Sequence, residues 1–267
     1  MERVLFIAKA KNLKYFSSHF TRLYFGNEFC QRLIPSHKQL AQVMDFAQEH
    51  HIALSLVTPY VTNEGLKKWT TLIEKVAEKN PQSEVVFNDW GILRAMKKLS
   101  GELEPVLGRL MTKIKRGPRL MNLIDKLPPD AIKYLQSTNL SVPAYRQFLI
   151  DKGIKRVELD NPLQDMILNG VGSDIHLSLY IPFAYVTTTR FCLVASCDIP
   201  ERKGMVGIFP CKKECQKYTF TLDNPTMPTT LIRKGNTIFF KNDRIPKADE
   251  LNDKKIDRLV IQPEIPI

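Results

Sequence analysis

The 267-residue sequence lacks any apolar run that approaches the roughly 20 residues a membrane-spanning helix needs. It also lacks the features of a signal peptide, because its first apolar stretch covers only Val4–Ala8 and no small-residue cleavage site follows. That stretch is interpreted as a first β-strand. We therefore expect a cytoplasmic protein with no membrane span.

Two common hydrolase motifs are missing as well. The sequence contains neither His-Glu-x-x-His nor Gly-x-Ser-x-Gly, so zinc peptidases and serine hydrolases of those types have no support. A cysteine–histidine pair can be drawn between Cys30 and His37, but nothing in their spacing requires it.

Acidic residues are scarce relative to basic ones. The chain has 28 Asp and Glu against 39 Lys and Arg, a formal net charge of +11. This excess indicates an acidic partner such as RNA or an anionic small molecule, although lysines scattered along the chain also fit a solvated surface. The densest basic stretch, Lys113–Arg119, lacks the interleaved aromatic residues of a base-stacking platform.

The alternation of short apolar runs with amphipathic segments predicts an α/β fold. Strands are predicted at 4–8, 22–25, 52–57, 85–87, 105–110, 156–159, 176–184 and 259–262, with a hairpin at 230–241. Helices are predicted at 39–50, from Thr62 or Asn63 to about 80, and at 92–99, 120–127, 130–135 and 143–151. This order implies a mostly parallel sheet, and the number of units favours a TIM-like (β/α) barrel in a single domain over residues 1–267.

Five cysteines, an odd number, are more consistent with metal ligands or catalysts than with disulfides in a cytoplasmic protein. Four of them fall in residues 190–217, a segment without clear periodicity that we interpret as a metal-binding insertion between barrel units. Within it, Cys211 and Cys215 form a Cys-x3-Cys pair.

The cysteine pattern favours an iron–sulfur cluster over zinc. Structural zinc sites usually gather two close cysteine pairs, and only one is present, whereas clusters accept wider spacing and a remote ligand. A four-thiolate [4Fe–4S] site carries a charge of about −2, which nearby cations would offset. The basic residues near the thiols are Arg190, Arg202, Lys203, Lys212, Lys213 and Lys217. Zinc remains the alternative, and the spacing alone does not decide which four cysteines are ligands.

Polar residues follow the predicted strands, where the active sites of α/β barrels are built. Glu28 and Cys30 follow the second strand, Asn88 and Asp89 follow the strand at 85–87, and Arg109 follows the next. Because Cys192 also follows a predicted strand, Cys30 and Cys192 are expected at the same rim.

Each polar candidate has a structural alternative. Asn88 and Asp89 could cap the following helix, Arg109 could form a structural ion pair, and Glu28 could bind a basic neighbour. His176, inside a predicted strand, is interpreted as a core histidine.

At these residues the chain resembles the peptidase U32 family in its short form. The similar stretches are Leu23-Tyr24-Phe25-Gly26-Asn27-Glu28-Phe29-Cys30, Phe87-Asn88-Asp89-Trp90-Gly91, Gly108-Arg109-Leu110, Thr188-Thr189-Arg190-Phe191-Cys192 and Cys211-x3-Cys215. The likeness is diffuse over most of the chain, and its specific part is the cysteine set. It is greatest to the iron–sulfur U32 proteins of oxygen-independent ubiquinone synthesis.

The resemblance implies a TIM-like barrel that binds [4Fe–4S] through Cys30, Cys192, Cys211 and Cys215. Cys197 could replace Cys192, since the gap from Cys192 to Cys211 is longer here than in those relatives. It further implies a role in oxygen-independent hydroxylation of a quinone precursor or RNA base, with a second U32-family subunit as a candidate partner.

On this reading Asp89, Arg109, Asn88 and Glu28 line the cavity and position the substrate. The alternatives are a structural metal-binding barrel that binds RNA or protein, and the peptidase of the family's name.

Overall fold

The computed structural model describes residues 1–99, 103–168, 170–171, 174–202, 205 and 207–267. Its strands are β1 (Glu2–Ile7), β2 (Arg22–Gly26), β3 (Ala53–Val57), β4 (Glu84–Phe87), β5 (Glu104–Leu107), β6 (Arg156–Asp160), β7 (His176–Ile181), β8 (Phe183–Thr188), β9 (Phe220–Leu222), β10 (Leu231–Lys234), β11 (Thr237–Lys241) and β12 (Ile256–Ile261). Eight of them, β1–β7 and β12, close into a parallel barrel in the order β1-β12-β7-β6-β5-β4-β3-β2. The predicted TIM-like barrel is therefore confirmed.

Helices surround the barrel, and α1 to α5 stand where the periodicity predicts them with end points shifted by a few residues, whereas α6 was not predicted. They are α1 (His37–Glu49), α2 (Asn63–Lys79), α3 (Trp90–Met96), α4 (Pro129–Gln136), α5 (Pro143–Asp151) and α6 (Ala248–Asp253). Ser36 begins α1 with a capping box to Gln39. Helix α2 turns an apolar face that includes Trp69 and Ile73 onto the barrel, where both are fully buried. None of the helices in the described ranges is long and apolar enough to cross a membrane.

Side-chain alternation along the strands divides the core into two layers. Val4, Phe6, Tyr24 and Tyr180 belong to the cluster that fills the barrel. Leu5 and Ile7, which alternate with Val4 and Phe6 along β1, pack in the larger cluster beneath the helices. The barrel is thus a filled core, so the sites open to small molecules lie at its ends and on its loops.

One predicted strand is wrong in its extent. The run from His176 to Ala184 is not continuous: β7 ends at Ile181 and β8 begins at Phe183. Pro182 stands between them, and proline lacks the N–H that a continuing ladder would use. Strand β8 leaves the barrel and joins a separate antiparallel sheet of order β8-β11-β10-β9.

Strands of this second sheet flank the cysteine segment along the chain. Residues 190–217 lie between β8 and β9, so they form part of a longer insertion that separates the last two barrel strands, β7 and β12. The predicted hairpin is confirmed as β10 and β11. Residues 203–204 and 206, including the cation Lys203, lie outside the described residues.

Two smaller predictions also need correction. The predicted helix at 120–127 is a pair of short 3-10 turns, Pro118–Asn122 and Ile124–Lys126. His176 is not a core residue: it begins β7 exposed to solvent, with Nδ1 2.6 Å from Oδ2 of Asp257.

Candidate metal centre

A sharp turn after β2 brings Cys30 to the carboxyl end of the barrel. Gly26 has φ of +142°, and a Cβ there would lie 2.0 Å from the carbonyl oxygen of Val57, so only glycine fits. The buried side chain of Asn27 then accepts hydrogen bonds from the backbone N–H groups of Phe29 (3.0 Å) and Cys30 (2.9 Å). The turn therefore holds the half-buried Cys30 in one place at the rim.

The buried carboxylate of Glu214 organises the cysteine segment. It accepts hydrogen bonds from the backbone N–H groups of Ser196 (2.8 Å) and Lys212 (3.0 Å). Burial would raise its pKa, but these backbone N–H groups outweigh that effect and lower it, so the group is an anion at neutral pH. Glu214 thereby joins the part of the segment that follows Cys192 to the part that carries Cys211.

Four of the five thiols are neighbours. The pKa of Cys30 is raised to about 11, first by burial and then by the nearby thiols of Cys215, Cys192 and Cys211. Burial and the thiols of Cys215 and Cys211 also raise the pKa of Cys192. The four cysteines that the family resemblance implies as ligands thus come from two remote parts of the chain and meet at one rim of the barrel.

Cys197 lies apart from this group. It is exposed, whereas the other four are half-buried or buried. Its pKa is raised by burial, by the carboxylates of Asp198 and Glu214 and, less strongly, by the thiol of Cys215. Cys197 is thus more exposed than Cys192, and the choice of Cys192 as the fourth ligand stays a prediction.

Hydrogen-bond donors point at the sulfurs of the four neighbouring cysteines. The N–H of Lys213 donates to Sγ of Cys211 at 3.4 Å, and Gln216 Nε2 donates to Sγ of Cys215 at 3.6 Å. Backbone N–H groups of Arg32 and of Val194 and Ala195 act in the same way on Cys30 and Cys192 and lower their pKa in part. Such donors stabilise thiolates, the form in which cysteine binds metals.

The spacing of the thiols bears on which metal group fits. In the part of the chain that the structure describes, no three His, Cys, Asp or Glu side chains are arranged to hold one metal ion. A tetrahedral zinc site needs sulfurs about 3.8 Å apart, given Zn–S bonds of about 2.3 Å. The described side chains therefore form no ready-made site for a single metal ion.

An apolar shell surrounds the thiols. Phe29, Tyr185, Val194 and Phe239 form one buried cluster with Cys215, and Cys192 packs against it. Such a shell limits the access of water to a metal group and tunes the reduction potential of that group.

Glu28, two residues before Cys30, forms a fully buried ion network with Arg109. Nη2 of Arg109 lies 2.6 Å from Glu28, and Nη1 lies 2.9 Å from Asp160. Arg116 pairs with the other oxygen of Asp160 at 2.6 Å. The Arg109 guanidinium also stacks 4.2 Å from the ring of Tyr180. This arrangement matches the structural alternative for Arg109 and adds Asp160 and Arg116, which the sequence did not single out as partners.

Asn88 and Asp89 also bind neighbouring backbone. Asn88 donates to the carbonyl oxygen of Thr58 (2.8 Å) and accepts from the N–H of Leu110 (3.0 Å). Asp89 caps α3 through the N–H of Gly91 (2.7 Å) and accepts from the N–H of Val61 (3.0 Å). All four predicted substrate-positioning residues therefore hold the loops of the rim, and their contact with substrate stays a prediction.

A small cavity of about 170 Å³ opens beside Cys30. Arg32, Arg190, Tyr60 and Asn236 are among the residues that line it. The guanidinium of Arg190 lies 5.7 Å from the centroid of the Tyr60 ring. In the described residues neither arginine has a carboxylate within 4.0 Å, so both charges are available to a ligand. Sequence reasoning missed Arg32, although its position two residues after Cys30 in the same turn was a usable signal.

The cysteine–histidine pair required by a thiol peptidase is not formed. Among the described residues, no histidine nitrogen lies within hydrogen-bond distance of Cys30, and His37 begins helix α1 instead. The raised pKa of Cys30 is also opposite to that of an activated nucleophile.

The chain matches no known protein-family profile and no curated protein. Among solved structures it is similar to a U32 peptidase, with 9% identity, a TM-score of 0.48, and coverage of 99% of this chain and 93% of that one. It is also similar to a GH18 chitinase from Cycas revoluta, with 9% identity, a TM-score of 0.43, and coverage of 98% and 94%. The barrel assignment rests on the chain's own strand order.

Proposed function

We propose that this chain is a U32-family iron–sulfur protein in which Cys30, Cys192, Cys211 and Cys215 hold one [4Fe–4S] cluster. The observation that carries the proposal is the meeting of these four thiols, from two remote parts of the chain, while Cys197 stays apart. The stretches around Cys30, Asn88, Arg109 and Cys192 resemble the family, and they contain residues that build this rim.

The donor set favours a cluster over zinc. Four thiolates are soft ligands that suit either group. A cluster spreads its ligands over four iron atoms and accepts a ligand from a remote part of the chain, as Cys30 would be. The N–H groups that face the sulfurs would stabilise the added negative charge.

The residues beside the thiols support an anionic substrate. Arg32 and Arg190 would bind a carboxylate or phosphate in the cavity next to Cys30, and the Tyr60 ring would pack against its apolar part. When bound, the cluster supplies electron transfer. The reaction class we propose is an oxygen-independent hydroxylation or a related redox modification, which agrees with the family resemblance.

Metal and sulfide analysis of anaerobically purified protein tests this proposal. We expect about four iron and four acid-labile sulfide per chain, with a brown colour and broad visible absorbance. One zinc ion per chain with no sulfide would reject the cluster. Iron without sulfide would also reject it, because a mononuclear iron site holds none.

A second candidate function, binding of single-stranded RNA, is favoured by an aromatic row beside the basic stretch. The ring centroids of Trp90 (40% exposed) and Phe148 (38% exposed) lie 5.5 Å apart, and those of Phe148 and Tyr145 lie 6.3 Å apart. Tyr145 donates a hydrogen bond to the carbonyl oxygen of Met111, two residues before Lys113. The fold thus supplies the aromatic residues that the sequence of the basic stretch lacks.

Titration with a mixed-sequence single-stranded RNA tests this second function. Binding should quench Trp90 fluorescence and weaken steeply as salt rises. Phe148→Ala should reduce affinity by about tenfold, since a stacked base contributes about 1–3 kcal/mol. Tyr134→Ala, at an exposed aromatic on α4, is the matched control and should leave affinity unchanged. Equal effects of the two variants would count against the aromatic row.

A further inference from the structure

The turn between β10 and β11 contacts the segments that carry three of the thiols. The amide nitrogen of Asn236 donates to the backbone carbonyl oxygens of Phe29 (2.7 Å) and Thr189 (2.6 Å). Phe29 directly precedes Cys30, and Thr189 lies three residues before Cys192. One side chain thus joins the barrel loop of Cys30 to the loop of Cys192.

Two further contacts reinforce this junction. The N–H of Thr189 donates back to the carbonyl oxygen of Asn236 at 3.1 Å. The hydroxyl of Tyr60, 2.9 Å from the Asn236 amide nitrogen, donates to the carbonyl oxygen of Thr189 at 2.7 Å. The loops that follow β2, β3 and β8 therefore converge on Asn236.

The preceding residue brings the turn against a third thiol. Gly235 has φ of +59°, and a Cβ there would lie 3.3 Å from Cβ of Cys215. The turn thus approaches Cys215 closely through a residue that has no side chain. The segments of Cys30, Cys192 and Cys215 all meet it.

We propose that Asn236 is a positioning residue that aligns the Cys30 turn with the Cys192 loop, so that thiols from the barrel and from the insertion face each other before any metal binds. The inference rests on the proposed four-thiolate site and adds the element that assembles it. Its chemistry requires a donor: two of the three acceptors of the amide nitrogen are carbonyl oxygens, which a carboxylate of the same shape would repel.

Cross-linking of thiols in the full-length, reduced, metal-free protein tests this role. Dibromobimane bridges two neighbouring thiols and fluoresces only when both ends have reacted, and mass spectrometry identifies the bridged pair. Asn236→Ala should lower the yield of the Cys30–Cys192 bridge by about fivefold, the effect expected of one lost hydrogen bond. Asn236→Asp should lower it at least as much, although it preserves the shape of the side chain.

Asn242→Ala is the matched control. Asn242 follows β11, and its amide donates to the backbone carbonyl of Asn161 at 3.1 Å, away from the thiols. This variant should keep the Cys30–Cys192 bridge at the wild-type yield. The Cys211–Cys215 bridge, formed within one short stretch, should be unchanged in every folded variant.

The outcomes separate this inference from the proposed function. A wild-type yield of the Cys30–Cys192 bridge in Asn236→Ala, or its retention in Asn236→Asp, would overturn the positioning role whether or not the protein binds iron. If both Asn236 variants fail to fold, Tyr60→Phe is tested instead. Because it removes one weaker hydrogen bond, we expect the yield of the Cys30–Cys192 bridge to fall about twofold. An unchanged yield in Tyr60→Phe would overturn the positioning role. Absence of iron from wild-type protein would reject the cluster but leave the cross-link result standing.

Discussion

Replacing Cys30 by serine should remove nearly all iron and sulfide from the anaerobically purified protein. Cys30 is the one thiol that the barrel itself contributes, and the other three belong to the insertion. Loss of residues that merely orient a ligand already costs about 10- to 100-fold in metal affinity, so loss of a ligand should cost at least as much. We expect iron content to fall by at least about tenfold, together with the visible absorbance.

Cys197→Ser is the control for this experiment. Cys197 is exposed and stands apart from the other thiols, so its variant should keep the full iron and sulfide content. Cys192→Ser should behave like Cys30→Ser. If Cys197→Ser loses the cluster and Cys192→Ser keeps it, the assignment of the fourth ligand is wrong.

Replacing Arg109 by methionine should destabilise the metal-free protein by about 3–5 kcal/mol at neutral pH. The change leaves Glu28 without its partner in the core and Asp160 with only Arg116, and unpaired buried charges are costly. In the wild type, burial raises the pKa of Glu28 even though Arg109 opposes that rise. Removing Arg109 should raise this pKa further. Urea denaturation gives the free energy of unfolding.

The sign of the pH dependence follows from that shift. A carboxyl whose folded pKa lies above its unfolded value costs stability progressively as pH rises through the unfolded value and then through the folded one. The loss in Arg109→Met should therefore be smaller near pH 4 than at pH 7. Lys68→Met, which removes an exposed pair with Glu64, should change stability by less than about 1 kcal/mol. A similarly small change for Arg109→Met would show that the buried network does not support the rim.

Local sequence signals were sufficient for most of the barrel. Apolar runs such as Val85–Phe87 and amphipathic helices such as α1 depend on short-range periodicity, which a single sequence contains. The predicted strand across Pro182 shows the limit of that reasoning. Its residues are apolar on both sides of the proline, and only the pairing of β8 with β11 reveals that the chain has moved to another sheet.

The surroundings of the candidate thiols were predicted only in part. Cys30 and Cys192 were expected at one rim because each followed a predicted barrel strand. Cys30 does follow β2, but Cys192 follows β8, which has left the barrel for the second sheet. The partners of Arg109 were not predictable, since Glu28 and Asp160 come from distant strands and only closure of the barrel brings them together. Asn236 was also missed, because a turn residue in a hairpin gives no sequence sign of the carbonyl groups it will meet.

A crystal structure of anaerobically prepared protein, with anomalous data collected at the iron absorption edge, tests the central claim most directly. Iron density bonded to the sulfurs of residues 30, 192, 211 and 215 at the open end of the barrel is the result that we predict. A refined structure in which the sulfur of residue 30 points away from an iron group held by the insertion alone would contradict it.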